Sequence, residues 1–172
     1  MKEKILSVGI DIGTSTTQVI FSRFTIENTS GEYMVPRIEI TGKEIVYESK
    51  IYITPLCDER TIDEKAVHDI IVDEYNKSGF KPEDIDTGAV IITGETARKE
   101  NARSVLHFMS GMAGDFVVAT AGNDLEGVIA GRGAGTSSMS LKRHKVMANV
   151  DIGGGTSNIA VFKENRPVDT GC

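Results

Sequence analysis

The sequence predicts an α/β fold in which helices cover a mixed β-sheet. Three observations indicate this fold. Strand-like segments fill the first part of the chain, helical and fully apolar segments alternate in its middle, and a hairpin-like segment near the start returns near the end. The two copies are DIGTSTTQVIF, residues 11–21, and DIGGGTSNIAVF, residues 151–162. Such a repeat is expected where a second copy of the same unit begins.

The N-terminal part of the chain contains four predicted strands: residues 5–10, 17–25, 33–40 and 45–53. The first is a short apolar run that ends at the Gly13 turn, and the second is its expected antiparallel partner. The last two are joined by a predicted turn at Thr41-Gly42-Lys43. Pro55 is expected to end the fourth strand, because proline cannot donate a ladder hydrogen bond.

The middle of the chain begins with a predicted helix in residues 61–78, which has four apolar residues on one face: Ala66, Val67, Ile70 and Ile71. Thr61 and Glu64 have the spacing of a capping box, and Gly79 is expected to end the helix. A second helix is predicted in residues 95–111, with four residues facing inward: Ala102, Val105, Leu106 and Met109.

Two apolar segments predict buried central strands: AVIIT, residues 89–93, and FVVAT, residues 116–120. Residues 123–142 are predicted to be helical with a break at residues 131–135, and a second strand pair follows at residues 146–152 and 157–162. We expect residues 1–145 to form one subdomain and residues 146–172 to be the opening hairpin of a second, so that the chain is a fragment of a longer protein. Residues 167–172 are expected to be an irregular end.

Charge and cysteine content exclude several classes of protein. The chain of 172 residues has 19 basic and 25 acidic residues, a net charge of −6, and its basic residues form no patch. Nucleic acid and membrane are therefore not expected as partners. Cys57 and Cys172 lie far apart without a CxxC motif, so neither a disulfide framework nor a zinc site is predicted. Because the sequence has no signal peptide and no long apolar run, a cytoplasmic location is expected.

The repeated turn contains the residues that indicate a binding site. Four positions match between the copies: Asp11 with Asp151, Gly13 with Gly153, Thr16 with Thr156, and Gln18 with Asn158. One such turn is ordinary hairpin material, but matched polar tips are what two loops facing one ligand need. Glycine-rich turns hold anions with their amides, and an aspartate beside phosphates requires a cation between them. The sequence therefore predicts a Mg²⁺–polyphosphate site with Asp11 and Asp151 on the metal side.

Other phosphate-binding and catalytic motifs fit less well. The chain has no GxxxxGK[ST] motif of a P-loop. The segment GRGAGT, residues 131–136, lacks a preceding strand and the GxGxxG spacing, so a helix break with close packing is predicted there. The serines at 137, 138 and 140 have no histidine and acid at a readable spacing, so no nucleophilic triad is predicted.

The segments DIGTSTT and DIGGGTSN resemble the two phosphate loops of the actin-like ATPase superfamily, whose fold is ribonuclease H-like. The predicted strand order is similar to that superfamily's first lobe plus the start of the second. Four stretches resemble more closely the family of ethanolamine ammonia-lyase reactivating proteins, the EutA family: SVGIDIGTSTTQVIFSRF, AVIITGETARKENA, GAGT and NVDIGGGTSNIAVF. The resemblance covers essentially the whole chain.

The resemblance implies an ATP- and Mg²⁺-dependent chaperone. Its client is an adenosylcobalamin-dependent ethanolamine ammonia-lyase, from which it releases damaged cobalamin so that intact coenzyme can bind. It also implies association with a bacterial microcompartment. ATPase activity is then expected of the full-length protein, whereas this chain alone is expected to be inactive, because the family's adenosine pocket lies mainly after Cys172.

The resemblance also implies roles for individual residues. Asp11 and Asp151 are the expected Mg²⁺-side carboxylates. Two sets of loop residues are expected to contact opposite ends of the polyphosphate: Gly13, Thr14, Ser15 and Thr16 in the first loop, and Gly153, Gly154, Gly155 and Thr156 in the second.

Residues after the strand at 89–93 have two interpretations. Glu95 is a candidate to orient the attacking water and Thr96 to reach the metal, since strand ends face the ligand in such sheets. In the other interpretation, which we prefer, Thr93 or Thr96 caps the following helix and Glu95 complements its dipole. Two rival functions on the same fold remain open: a small-molecule kinase or polyphosphate phosphatase, and a filament-forming protein of the actin type.

Overall fold

The computed structural model describes residues 2–31, 33–110, 115–120 and 122–172. The side chains that lie outside this description are those of residues 95, 98, 106, 110, 115–120 and 123. In the described residues, the main sheet has six strands: β1 Lys2–Ile12, β2 Thr16–Asn28, β3 Ile38–Glu48, β4 Tyr52–Ile53, β5 Thr87–Ile92 and β6 Asp115–Thr120. A smaller sheet has three: β7 Met147–Ile152, β8 Ser157–Lys163 and β9 Arg166–Gly171.

Helices connect and cover the strands. The α-helices are α1 Glu64–Ser78, α2 Ala102–Ser110, α3 Asn123–Gly133 and α4 Thr136–Lys142, and short 3₁₀ helices occupy Pro82–Asp84 and Gly94–Arg98. In the part of the chain that the structure describes, no helix combines the length and apolar character needed to cross a bilayer.

The main sheet is mixed, as the sequence predicts. Its order is β3-β2-β1-β5-β6, with the short β4 also paired to β2. The N-terminal strands β1, β2 and β3 pair antiparallel, whereas β1, β5 and β6 run parallel. The carboxyl ends of β1 and β5 therefore lie side by side, which brings the turn after β1 next to the segment after β5.

The main core lies between the sheet and the helices α1 and α2. Strands and helices both supply fully buried apolar side chains: Val8, Ile10, Ile12, Val19, Phe21, Val90, Ile92, Val67, Ile71, Val105 and Met109. The ring of Phe21 meets the ring of Tyr75 edge-on, with centroids 5.0 Å apart. Burial of each such side chain contributes roughly 1.5–3 kcal/mol, so this layer fixes the first turn on a rigid support.

Several predictions at the ends of strands and helices are wrong. The strand expected at residues 33–40 begins only at Ile38, as the start of β3. The expected turn at residues 41–43 is absent, because β3 runs unbroken from Ile38 to Glu48 and adjusts its pairing with β2 by a register shift between Thr25 and Ile26. The expected Thr61–Glu64 capping box is also absent. Asp63 caps α1 instead, accepting a hydrogen bond from the Ala66 amide at 2.9 Å.

Other predicted elements are confirmed or refined. Gly79 ends α1 with φ 76°, and residues 116–120 lie in β6. The second predicted helix divides into a 3₁₀ turn and α2. Ala102, Val105 and Met109 are buried there, while the side chain of Leu106 lies outside the described residues. Residues 167–172 are not an irregular end, because most of them form β9, which pairs with β8.

Helices α3 and α4 pack against the small sheet. The α-carbons of Gly127 and Gly131 lie close to β8, and a Cβ on Gly131 would stand 2.3 Å from Cε2 of Phe162. This confirms close packing at GRGAGT, and the helix break lies at Gly135, the residue before α4. The boundary between the predicted subdomains at residue 145 stays a prediction.

Candidate functional site

The two repeated turns have the same backbone geometry. In the first, the Gly13 amide donates to the Thr16 carbonyl at 2.8 Å, and in the second the Gly153 amide donates to the Thr156 carbonyl at 2.9 Å. The flanking strands also pair alike, because Asp11 lies opposite Gln18 and Asp151 opposite Asn158. The sequence repeat is therefore a structural repeat, which places one aspartate at the same point of each hairpin.

The two turns face each other across one cleft. The cleft has a volume of about 230 Å³ and opens to solvent. It is lined by Asp11, Gly13, Thr14, Ser15, Thr16, Thr93, Gly94, Glu126, Asp151, Ile152, Gly153, Gly154, Gly155 and Thr156. A Cβ on Gly154 would lie 2.0 Å from the Ser15 Oγ, so the tips of the turns touch at one end of the cleft.

All residues that the sequence assigns to the phosphate loops and the metal line this cleft. Their roles remain proposals, because the cleft shows their location and not what they bind. The side chain of Glu95, the candidate catalytic residue, lies outside the described residues. Its neighbour Thr96 is fully buried and donates to the Gly13 carbonyl at 3.0 Å. Thr96 is therefore turned away from the position expected of a metal ligand.

Gln18 and Asn158, the matched polar residues beyond the turns, are not among the residues that line the cleft. Gln18 donates to the Glu48 carboxylate on β3 at 3.0 Å, and Asn158 is only 1% exposed. Thr93 provides no side-chain cap for the 3₁₀ helix that follows it. Its hydroxyl instead donates to Oδ1 of Asp11 at 3.2 Å and so holds that carboxylate in the cleft.

Glu126 is a cleft residue that the sequence reasoning missed. It lies in the first half of α3, and its carboxylate shares the cleft with Asp11 and Asp151. Its Oε2 is buried without a hydrogen-bond partner among the described residues. Burial raises the pKa of Glu126. The Gly94 amide and the Asn158 side chain act in the opposite direction, and the negative charge of Asp151 adds to the rise.

A signal for Glu126 was present in the sequence. The strand rule that drew attention to Glu95 after β5 applies equally to the helix after β6, since the ends of both parallel strands face the same edge of the sheet. Glu126 lies in that helix.

The carboxylate of Asp11 has a strongly perturbed pKa. Its side chain keeps contact with solvent, and it borders a second cavity of about 230 Å³ whose wall contains Ile91, Ile129 and Ala130. The surrounding protein partly removes the carboxylate from water and raises the pKa of Asp11 to about 6; the Thr93 hydrogen bond opposes the rise, while the negative charges of Glu126 and Asp151 add to it. A cation in the cleft would relieve this accumulation of negative charge.

The carboxylates fit a hydrated metal ion better than a closed metal site. In the described residues, no three Asp, Glu, His or Cys side chains converge closely enough to hold a metal by themselves. Among the residues whose side chains the structure describes, those that line the cleft include three carboxylates and no lysine, arginine or histidine to neutralise them. This donor set suits Mg²⁺, which keeps several waters and commonly takes one or two carboxylates together with phosphate oxygens.

The chain matches the family model described as ethanolamine utilisation protein EutA over residues 3–172. It is 46% identical over 169 residues to the ethanolamine ammonia-lyase reactivase EutA of Escherichia coli and equally to that of Salmonella typhimurium. These matches cover 98% of this chain and 36% of each relative. The chain thus spans about a third of the length of the curated relatives it matches.

Solved structures share the fold. The Aquifex aeolicus PPX-GPPA enzyme superposes with a TM-score of 0.63 at 17% identity, covering 98% of this chain and 52% of that one. An exopolyphosphatase from Cytophaga hutchinsonii gives a TM-score of 0.54 at 12% identity, covering 98% and 49%. At these identities the likeness shows the fold alone, and it confirms the predicted α/β fold of the actin-like ATPases.

Proposed function

Because the chain belongs to the EutA family of ethanolamine utilisation proteins, we propose that it forms the phosphate-binding part of a reactivating factor for ethanolamine ammonia-lyase. In this proposal the full-length protein binds ATP with Mg²⁺ and acts on lyase that carries damaged cobalamin. It promotes release of the spent cobalamin, so that intact adenosylcobalamin can bind. The lyase would be encountered in the cytoplasm, in association with a microcompartment.

One observation carries the nucleotide part of this proposal. Two turns of equal geometry, each with an aspartate at the same register, line a single cleft and touch through Ser15 and Gly154. A single glycine-rich turn binds one end of an anion, whereas two opposed turns hold a chain of phosphates from both sides. The cleft is open to solvent, and residues of both turns line it, so a phosphate chain can reach the two turns together.

Different groups in the cleft would bind different parts of the ligand. Amides and hydroxyls of residues 13–16 and 153–156 would bind phosphate oxygens, and Asp11 and Asp151 would hold Mg²⁺ directly or through water. Bound Mg²⁺ would neutralise the phosphate charge. Glu126, whose pKa is raised and whose Oε2 lacks a partner among the described residues, is suited to orient a water beside the terminal phosphate.

The placement of the cleft suggests how nucleotide would act on the client. The first turn belongs to the main sheet and the second to the small sheet, so a ligand that binds both favours one relative position of the two sheets. A ligand shifts such an equilibrium only by its differential affinity for the two positions. Binding and loss of nucleotide would therefore switch the protein between two relative positions of the sheets. In one of these positions the protein would cause the lyase to release its cobalamin.

The test uses the full-length protein and lyase inactivated with cyanocobalamin. ATP, Mg²⁺ and free adenosylcobalamin are added, and ammonia release from ethanolamine is followed. We expect activity to return only when the protein, ATP and Mg²⁺ are all present. A matched reaction with Asp11→Asn protein should show no recovery.

Two outcomes would contradict this function. If ammonia release does not return while phosphate is transferred to a sugar or alcohol, or inorganic polyphosphate is cleaved, the protein is a kinase or phosphatase of the same fold. Full recovery without ATP would contradict the role proposed for the cleft and leave the client assignment intact.

A further inference from the structure

The carbonyl oxygen of Gly13 in the first turn accepts hydrogen bonds from two buried hydroxyls. Thr54 donates to it at 2.8 Å and Thr96 at 3.0 Å. The two threonines are 5% and 0% exposed, and they come from different parts of the chain, one after β4 and the other in the 3₁₀ helix after β5. Both lone pairs of this carbonyl are therefore used on the inner side of the turn.

This arrangement fixes the direction of the next amide. A peptide unit is planar and trans, so the N–H of Thr14 points opposite to the C=O of Gly13. Since the carbonyl is held inward by the two threonines, the Thr14 amide is directed to the outer side of the turn. Thr14 is one of the residues that line the cleft.

Thr54, one of the two threonines that donate to the Gly13 carbonyl, is itself held in place by the main sheet and by α1. The Thr54 amide donates to the Ser15 carbonyl at 3.0 Å, which ties Thr54 to the same turn. The preceding residues of β4 pair with β2, and the Tyr52 hydroxyl donates to the carboxylate of Glu74 on α1. Glu74 is 1% exposed and also accepts from Lys77 at 2.9 Å. The orientation of the peptide is thus set by buried contacts and not by the exposed turn.

We propose that Thr54 and Thr96 are positioning residues, which fix the Gly13–Thr14 peptide so that its amide is presented to a bound polyphosphate. This inference rests on the part of the proposed function that assigns a phosphate chain to the cleft, and not on the nucleotide or the client protein. A role in packing alone would require only that each hydroxyl find some acceptor. Two hydroxyls that converge on one carbonyl restrict the rotation of the peptide itself.

The test compares hydroxyl removal with hydroxyl retention in the full-length protein. The variants are Thr54→Val and Thr96→Val, which keep the branched shape, and Thr54→Ser and Thr96→Ser, which keep the donor. Thr136→Val is the matched control, because Thr136 is also buried and donates to Asn149 at 3.2 Å on the small sheet. The probe is Mg²⁺-pyrophosphate, with affinity measured by calorimetry and the Thr14 amide followed by NMR after ¹⁵N-threonine labelling.

We expect each valine variant to weaken pyrophosphate binding about tenfold and to abolish the shift of the Thr14 amide on binding, because a misdirected amide loses a charge-assisted hydrogen bond. The serine variants and Thr136→Val should bind as the unmodified protein does. In nucleotide hydrolysis, the valine variants should raise KM while kcat changes little.

The outcomes separate this inference from the proposed function. Unchanged pyrophosphate affinity in both valine variants, or no shift of the Thr14 amide in the unmodified protein, would overturn the positioning role. If pyrophosphate binds as expected but ATP is neither bound nor hydrolysed, the nucleotide function fails while the positioning role stands. Loss of affinity in the serine variants as well would show that the threonines act by packing, and would also overturn it.

Discussion

Asp11 and Asp151 are the residues to which we assign the metal of the proposed function. Asp11 and Asp151 occupy equal registers in their hairpins and share the cleft with Glu126. We predict that Asp11→Asn or Asp151→Asn lowers Mg²⁺-dependent ATP hydrolysis by the full-length protein at least a hundredfold, since removal of a charge that stabilises the reacting groups has effects of this size. Phosphate release at saturating Mg²⁺ is the measurement.

The fold should survive these substitutions, because each removes a negative charge from a cluster of like charges. Circular dichroism and thermal unfolding check this. Asp73→Asn on the exposed face of α1 is a suitable control and should hydrolyse ATP normally. Hydrolysis by either cleft variant at the unmodified rate would remove the metal role assigned to that aspartate.

Tyr75 is a second residue whose chemistry leads to a prediction. Its ring packs on Phe21 in the core, but its hydroxyl is buried without a hydrogen-bond partner among the described residues. Because a buried unsatisfied hydroxyl costs about 1–3 kcal/mol, Tyr75→Phe should leave the fold unchanged and raise the free energy of unfolding by about 1 kcal/mol. Urea denaturation followed by circular dichroism measures this difference.

The pH dependence of stability provides an independent check. Burial raises the pKa of Tyr75 to about 12, whereas an unfolded chain has the ordinary value near 10. Between these values the unfolded state releases a proton that the folded state retains, so stability falls as pH rises from about 10 to 12. Tyr75→Phe should flatten this fall. An equal slope in both proteins would show that Tyr75 does not titrate as a buried group.

At the scale of elements, the contact between α3 and the small sheet depends on a glycine. A Cβ on Gly131 would stand 2.3 Å from Cε2 and 2.7 Å from Cζ of Phe162, a fully buried ring on β8. Gly131→Ala should therefore force the helix and the strand apart and destabilise the protein by about 1–3 kcal/mol, the usual cost of overpacking.

Gly133, two residues further along α3, is the matched control. A Cβ there would meet nothing within 4 Å. Gly133→Ala should stabilise the helix by about 0.5–1 kcal/mol through reduced backbone entropy of the unfolded chain. Thermal unfolding of the two variants should move in opposite directions. If both lose or both gain stability, the packing of α3 on β8 is not as described.

The sequence reveals elements better than their ends, and α1 shows why. Its apolar period is local information, and the helix forms where the period predicts. Its start depends on a distant contact, because a bridge between Leu56 and Ile62 keeps the backbone extended until Asp63 can cap the helix. The continuous strand β3 has a similar cause. Its pairing with β2 outweighs the local turn preference of Thr41-Gly42-Lys43.

At the scale of the whole molecule, the repeat made the main feature of the site predictable. Two equal turns in one chain indicate a shared ligand, and the structure places both on one cleft. Glu126 was not predicted although it follows β6 in the chain, because only the packing of α3 brings its carboxylate to the two turns. The two hydrogen bonds to the Gly13 carbonyl were not predicted either, because Thr54 and Thr96 approach the turn from segments about 40 and 80 residues away in sequence.

The approach of the two sheets leads to a last prediction. Ser15 belongs to the main sheet's turn and Gly154 to the small sheet's turn, and a Cβ on Gly154 would lie 2.5 Å from the Ser15 Cβ. Gly154→Ala should hold the turns apart, so that a phosphate chain contacts only one of them. Binding of Mg²⁺-ATP by the full-length protein should then weaken at least tenfold, as measured by calorimetry, while thermal stability without ligand changes little.

A second substitution decides whether separation of the turns is the cause. In Ser15→Gly/Gly154→Ala the obstructing side chain is gone, so the turns can meet again, although the Ser15 hydroxyl is lost. The double variant should bind Mg²⁺-ATP more tightly than Gly154→Ala and more weakly than the unmodified protein. If it binds no better than the single variant, the methyl group acts on the Gly154 backbone and not on the distance between the sheets. The explanation that contact between Ser15 and Gly154 brings the two turns together would then be wrong, because removal of the Ser15 side chain relieves only that contact.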